Sequence, residues 1–416
     1  MDKYLVKGGN ELFGCVEIGA AKNAVLPILA GAILCDGIVT IKNLPNYADV
    51  QSMIQLLKTL GVKTKLSGTT LTLDTTNILS SEISANLTSQ TRSSFFCLGA
   101  LLGRLKKARV AYPGGCEIGA RPIDIHLKGF TALNAKVLDR HGYITCSGKN
   151  MRGAEVYLDF PSVGATENIM LAACLTKGTT KIINAAKEPE VVDLQNFLNS
   201  AGAKIYGAGT NQIIIQGVKA LHSVTYSPIP DRIIAGTYLL AGAICGGEII
   251  IKNFPHKSLE ALSANLDKSA IKIWKQGTNA AIKTTARHKA ICKVETMPFP
   301  GFPTDLQAPL VAMLATAKGT SVVVENLFET RFRYAQELCK MGARITTNGR
   351  VAIVTGTTKL YGADVTAPDL RGGAALVLAS LMADGQSTIS AVHHIARGYE
   401  NFAQNLQKLG ADICLV

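Results

Sequence analysis

A chain of 416 residues is too long for one ordinary hydrophobic core, so two domains of similar size are expected. Hydrophobic residues at 47% against 18% charged exclude a disordered chain and mark a globular, somewhat apolar one. The formal charge of +13 favours acidic partners, yet it is not blocky and shows no aromatic–basic interleaving, so no nucleic-acid partner is expected and a polyanionic small molecule fits equally well.

The first residues, Met1-Asp2-Lys3-Tyr4-Leu5-Val6-Lys7, lack the apolar core of a signal peptide. Apolar runs such as Ala24 to Cys35 fall short of the ~20 residues that a bilayer requires. A cytoplasmic protein with no membrane insertion is expected, and no protein partner is indicated. Ten cysteines include no C-x-x-C pair, so neither a zinc site nor a disulfide framework is signalled. Cys35, Cys97, Cys174 and Cys245 sit in apolar runs and read as small core residues. Cys116 differs, because it lies in a glycine-rich polar segment.

In chain order the sequence reads as six diverged repeats of roughly 70 residues. Each holds a helix that is apolar almost all round: Asn23 to Ala30, Ser93 to Leu98, Thr166 to Leu171, Ala235 to Ile244, Leu306 to Leu314 and Ala374 to Met382. Such helices must be buried on every side. A glycine and a β-branched strand follow in most units, as in Gly37-Ile38-Val39-Thr40-Ile41 and Gly319-Thr320-Ser321-Val322-Val323-Val324. An amphipathic second helix then ends at a small-residue step, as at Leu60-Gly61-Val62, Ala201-Gly202-Ala203, Met341-Gly342-Ala343 and Leu409-Gly410-Ala411. Helices buried all round need sheets outside them, the reverse of ordinary α/β layering. Pro228-Ile229-Pro230, near the midpoint, is a plausible linker between three repeats and three.

Aligning the repeats puts Lys22, Arg92, Arg232 and Arg371 at the starts of buried helices, and Arg121, Arg331 and Arg397 near the starts of second helices. A helix N-terminus already carries partial positive charge and free N–H groups, so a cation there is unfavourable unless an anion joins it. Pairing of Arg331 with Glu329, or of Arg371 with Asp369, is the alternative for some of them. Lys22 has no acidic residue nearby in sequence, and a cleft for several phosphates or carboxylates is expected.

Five stretches stand out: Gly19-Ala20-Ala21-Lys22-Asn23-Ala24; Pro113-Gly114-Gly115-Cys116-Glu117-Ile118-Gly119-Ala120-Arg121-Pro122-Ile123-Asp124; Pro161-Ser162-Val163-Gly164-Ala165-Thr166-Glu167-Asn168; Pro300-Gly301-Phe302-Pro303-Thr304-Asp305-Leu306-Gln307-Ala308; and Arg397-Gly398-Tyr399-Glu400. Together, and in this order from Gly8 to the C-terminus, they closely resemble the UDP-N-acetylglucosamine 1-carboxyvinyltransferases, a family of enolpyruvyl transferases. The resemblance implies an α/β protein, a two-domain inside-out α/β barrel of six repeated helix-strand units, three per domain, with the site between the domains. Residues 1–21 are expected to join 230–416 in one domain, with 22–229 forming the other.

The implied reaction moves the enolpyruvyl group of phosphoenolpyruvate to the 3-hydroxyl of UDP-N-acetylglucosamine by addition and elimination. It uses no metal and no organic cofactor. By resemblance, Cys116 is the general acid at the methylene carbon and Asp305 the base at the sugar hydroxyl. From the sequence alone Asp305 reads as an N-cap, which would leave one carboxylate oxygen free. Arg121 near Cys116 favours its thiolate and Glu117 opposes it. Lys22, Asn23, Arg121 and Arg397 match phosphoenolpyruvate contacts. Asn23, Arg92, Arg121, Pro122, Ile123, Asp124, Ile125, Ser162, Val163, Gly164, Asp305 and Leu327 match contacts to the nucleotide sugar.

The chain departs from the usual pattern at Ala396, where an aspartate is common before the arginine, and at Ile234, where glutamate is frequent. Gly19-Ala20-Ala21 replaces Ser-Gly-Ala, and Thr91 replaces a methionine. Three rivals are a transferase acting on shikimate 3-phosphate, against which the Cys116 loop argues, a non-catalytic paralogue that binds the nucleotide sugar, and a nucleic-acid protein, suggested only by charge.

Overall fold

The computed structural model describes residues 2–114, 123–284 and 287–416. The apolar runs form helices α1 (Lys22–Ala32), α2 (Phe96–Leu105), α3 (Val163–Ala173), α4 (Arg232–Cys245), α5 (Gln307–Leu314) and α6 (Leu370–Met382). Their all-round hydrophobicity has the expected result. Every residue of α4 from Arg232 to Ile244 and of α6 from Arg371 to Leu381 is buried.

Around them stand six four-stranded sheets among the described residues. All share one pattern. An edge strand pairs in parallel with the second strand, and the third and fourth strands follow antiparallel. In the first sheet Val224–Tyr226 lies parallel to Ile38–Ile41, which pairs with Thr70–Asp74, which pairs with Lys63–Ser67. Register places Val39 between Val224 and Leu73, all three buried, so the inward row of the sheet meets the helices. Helices inside and sheets outside make this the inside-out α/β arrangement, with three buried helices in each half.

Residues 20–114 with 123–229 form one compact unit, and residues 2–19 with 230–416 another. Two sheets of the second unit are completed from the start of the chain. Tyr4–Lys7 lies between Gln386–Ser390 and Asp412–Leu415, antiparallel to both, and Leu12–Glu17 pairs in parallel with Gly247–Lys252. Lys3 and Val416 exchange backbone hydrogen bonds at 2.8 and 2.9 Å.

The second helices end in a left-handed residue in every repeat. In four this is glycine: Gly61, Gly202, Gly342 and Gly410, with φ between 91° and 105°. Asn134 at 64° and Ala270 at 65° take the same place in the other two. The glycine pattern in the sequence therefore misses two of the six steps.

Helices α1, α2 and α3 run side by side in the same direction. At their C-terminal ends, Arg104 donates to the Ile33 carbonyl at 2.9 Å, and Lys106 Nζ donates to the Gly103 and Leu175 carbonyls at 2.7 and 2.9 Å. In the other unit Arg287 donates to the Thr316, Ala317 and Thr357 carbonyls at 2.5, 2.9 and 2.7 Å. Cations thus occupy the negative ends of the helices. The N-terminal ends are left for something else. Among the described residues, no helix is long and apolar enough to cross a membrane.

Candidate functional site

In the unit of residues 20–229, Lys22 is the first residue of α1. The sequence shows it no acidic neighbour, but the fold supplies one: its Nζ lies 2.7 Å from Asp49 Oδ2, and both side chains are nearly buried. Asp49 sits in the first turn of the helix Ala48–Thr59, so folding carries the pair together from two helix starts. Asn23 is the one residue of α1 that is exposed, which turns its amide outward at the helix N-terminus.

Arg92 opens a 3-10 turn, Arg92–Phe95, that leads into α2, and Thr91 Oγ1 accepts from Ser93 N–H at 3.4 Å. Ser162 caps α3, accepting from Ala165 N–H at 3.3 Å, so Val163 and Gly164 form its first turn. Ile123 precedes the helix Asp124–Ala132; it is buried, Ile125 is half-buried and Asp124 faces solvent. Three turns carrying expected nucleotide-sugar contacts therefore lie at the N-terminal ends of neighbouring helices. Free N–H groups and positive dipole ends make this an anion-receptive pole. Cys116, Arg121 and Pro122 lie outside the described residues.

This pole also holds acids that motif reading passed over. Glu167, in the first two turns of α3, is fully buried. Burial first, and then the carboxylates of Glu190 and Glu188, push its carboxyl well above the usual range.

In the unit of residues 230–416, Asp305 differs from its expectation. It lies within a 3-10 turn, Thr304–Leu306, ahead of α5, and its side chain does not cap the helix. Neither oxygen is spare. Oδ1 accepts from Arg331 Nη2 at 2.7 Å and Oδ2 from Arg371 Nη2 at 2.9 Å. The pairings that the sequence suggested are replaced. Glu329 pairs instead with Arg350 at 2.5 Å, and Asp369 caps α6 by accepting from Arg371 N–H and Gly372 N–H at 2.9 and 3.0 Å.

Arg331 and Arg371 are each 3% exposed. Burial is the largest single influence and opposes the charge of Arg371, but Asp305, Tyr399 and Asp231 together outweigh it and hold the guanidinium more firmly protonated than usual. Arg232 begins α4 behind the cap Asp231, with its guanidinium 5.8 Å from the centre of the Phe299 ring. Arg397 follows the short helix His393–Ala396 and is half-buried. Tyr399, two residues on, lies 5.4 Å beneath Arg371 and shares a 2.9 Å hydrogen bond with Thr237.

One buried carboxylate orders this region. Glu325 Oε1 accepts from Thr296 Oγ1, Leu327 N–H and Phe328 N–H at 2.9, 2.9 and 3.2 Å, while Oε2 accepts from Thr304 Oγ1 at 2.9 Å. It fixes Leu327 and the residue before Asp305 with one side chain. Only its β-strand context in Thr320–Val324 hinted that the following glutamate would point inward.

The sequence model of the EPSP synthase (3-phosphoshikimate 1-carboxyvinyltransferase) family matches residues 6–406. The UDP-N-acetylglucosamine 1-carboxyvinyltransferase 2 of Caldanaerobacter subterraneus subsp. tengcongensis is 50% identical over 413 residues, 99% of each chain. The UDP-N-acetylglucosamine 1-carboxyvinyltransferase 1 of Symbiobacterium thermophilum is 48% identical, covering 100% of this chain and 95% of that one. Among solved structures, the enolpyruvyl transferase NikO from Streptomyces tendae superposes with a TM-score of 0.89 at 25% identity, over 100% of this chain and 99% of the other. EPSP synthase from Acinetobacter baumannii, at 16% identity and TM-score 0.77 over the whole of both chains, shares the fold. With full-length identity at this level, and the helix-inside, sheet-outside repeats common to these structures, the chain belongs to the UDP-N-acetylglucosamine 1-carboxyvinyltransferase branch of the EPSP synthase family.

Proposed function

We propose that this protein transfers the enolpyruvyl group of phosphoenolpyruvate to the 3-hydroxyl of UDP-N-acetylglucosamine, releasing phosphate, as a committed step toward peptidoglycan precursors. The observation that carries the reading is electrostatic. Each unit gathers helix N-termini and cations at one pole, buried Lys22 and half-buried Arg92 in one, buried Arg232, Arg331 and Arg371 in the other. Both substrates are polyanions, and such poles stabilise phosphate and carboxylate throughout a reaction.

In the proposed sequence Cys116 gives a proton to the methylene carbon of phosphoenolpyruvate. The neighbouring carbon becomes electron-deficient and the sugar 3-oxygen attacks it, while Asp305 accepts the hydroxyl proton. The tetrahedral ketal phosphate then loses a proton from the methyl group as the C–O bond to phosphate breaks, which restores the double bond. Lys22, Asn23, Arg121 and Arg397 hold phosphoenolpyruvate. Arg92, Arg121 with Pro122 to Ile125, Ser162 to Gly164 and Leu327 hold the nucleotide sugar, Asn23 and Asp305 touching it as well.

The two arginines on Asp305 bear on its role. A carboxylate with both oxygens engaged is oriented rigidly, and a sugar hydroxyl reaches it only by adding a further hydrogen bond to an oxygen already in use. The test is phosphate release from phosphoenolpyruvate with each of two acceptors. Release with UDP-N-acetylglucosamine and none with shikimate 3-phosphate is expected. The reverse result, or release with neither, would overturn the assignment.

A further inference from the structure

We propose that Asn168 and His126 form a positioning pair that sets the three turns carrying Arg92, Asp124–Ile125 and Ser162–Gly164. The inference rests on the reading above, which gives those turns to the nucleotide sugar.

In a regular helix starting at Phe96, the Phe95 carbonyl accepts from the Gly99 N–H. Here both groups also bond a side chain of α3. The Gly99 N–H donates to Asn168 Oδ1 at 2.8 Å, and the Phe95 carbonyl accepts from Asn168 Nδ2 at 2.9 Å. A side-chain amide from α3 is thus clamped onto the first turn of α2, bonding both groups of its opening pair. The 3-10 turn Arg92–Phe95 runs directly into this clamped turn. Only glycine allows the approach, since a Cβ at position 99 would lie 2.2 Å from both Asn168 oxygens.

These backbone partners also fix the amide's orientation, because a backbone N–H needs an acceptor and a carbonyl needs a donor. Asn168 Nδ2 has one N–H left, and it points at His126 Nδ1, 3.1 Å away. An amide nitrogen only donates, so Nδ1 must accept, and the ring proton is on Nε2. Burial, and secondarily Arg92, bring the imidazole down to about 3, so it stays an acceptor across the physiological range. The same ring meets Phe95 edge-on with centroids 5.1 Å apart. It also packs under Gly164, where a Cβ would come 3.2 Å from Cε1 and 3.4 Å from Nε2. His126 itself belongs to the first turn of Asp124–Ala132. One neutral ring and one amide therefore touch all three turns, and neither needs to touch substrate.

The test compares His126→Leu with His126→Asn, whose side-chain oxygen stands near the Nδ1 position and still accepts from Asn168. Calorimetry with UDP-N-acetylglucosamine should show Kd raised about tenfold in His126→Leu, the effect of losing one ordinary fixing hydrogen bond. His126→Asn should recover most of that loss, and the KM for phosphoenolpyruvate should stay within about twofold in both. Wild-type affinity in His126→Leu, or equal weakening in His126→Asn, sinks the pair. A wild-type protein that does not bind UDP-N-acetylglucosamine sinks the functional reading instead. Should His126→Leu fail to fold, nitrogen-15 spectra of the wild-type imidazole decide the geometry. A bare Nδ1 with Nε2–H from pH 5 to pH 8 is expected, and an Nδ1–H tautomer or an imidazolium overturns it.

Discussion

Replacing Asp305 by asparagine tests whether one carboxylate holds two buried guanidiniums in place. The Arg331 and Arg371 side chains are 3% and 4% exposed, and that of Asp305 is 24% exposed. Asparagine keeps one acceptor oxygen, so one arginine loses its ion but keeps a hydrogen bond. The other faces an amide N–H, donor against donor. Removing one partner of a buried pair costs about 3–5 kcal/mol. Partial exposure and the surviving acceptor argue for the low end, about 3 kcal/mol. For a unit of this size that corresponds to a fall in Tm of roughly 6–12 °C. Calorimetry should show the unit containing residues 230–416 melting earlier while the other transition stays in place. In an Arg331→Met background the same change should cost less, because half of the demand on the carboxylate has gone. Turnover should drop by at least about a hundredfold if Asp305 is also the base. A Tm within about a degree of wild type would refute the clamp.

Four other outcomes are expected. Lys22→Gln should raise the KM for phosphoenolpyruvate at least tenfold, which steady-state kinetics will show; an unchanged value removes Lys22 from the substrate. Cys116→Ala should lose most turnover yet bind UDP-N-acetylglucosamine as before, and equal turnover in the variant would end the general-acid role. Asp193 is raised to about 6 by burial, although the Tyr226 hydroxyl and Ile229 N–H that it accepts oppose the rise. An acid whose folded value exceeds its unfolded value, here 3.8, contributes stability that is complete below that value and lost as pH climbs to about 6. Denaturation curves should therefore show wild type losing roughly 2 kcal/mol relative to Asp193→Asn between pH 4 and pH 6.5, and parallel curves would contradict it. Ala270→Gly should stabilise by about 1 kcal/mol in urea denaturation, since alanine at φ 65° is strained and glycine is not; a lower midpoint would count against that account.

Much of the fold was legible because its signal is one of composition. Helices with no polar face, such as Arg232 to Ile244, have nowhere to be but inside, and the repeat of helix and strand follows from that. Steps that relied on one residue type were legible only where that type was kept. Asn134 and Ala270 do a glycine's work without advertising it. In the candidate site the motif residues were visible, but their partners were not. Sequence proximity offered Glu329 to Arg331 and Asp369 to Arg371, whereas parallel helix starts bring both guanidiniums to Asp305. Asp49 beside Lys22, and Asn168 on the first turn of α2, are invisible for the same reason: each contact joins different helices, within one repeat or across two, rather than neighbours in the chain.

The strand Tyr4–Lys7, flanked on both edges by segments from the far end of the chain, sets the order in which synthesis can become structure. At about 5–20 residues per second, a ribosome leaves that strand without its neighbours for roughly 20–80 s. During that wait residues 20–114 and 123–229 emerge with every strand of their three sheets present, so this half can fold first, as an insertion inside a half still waiting for its last strand.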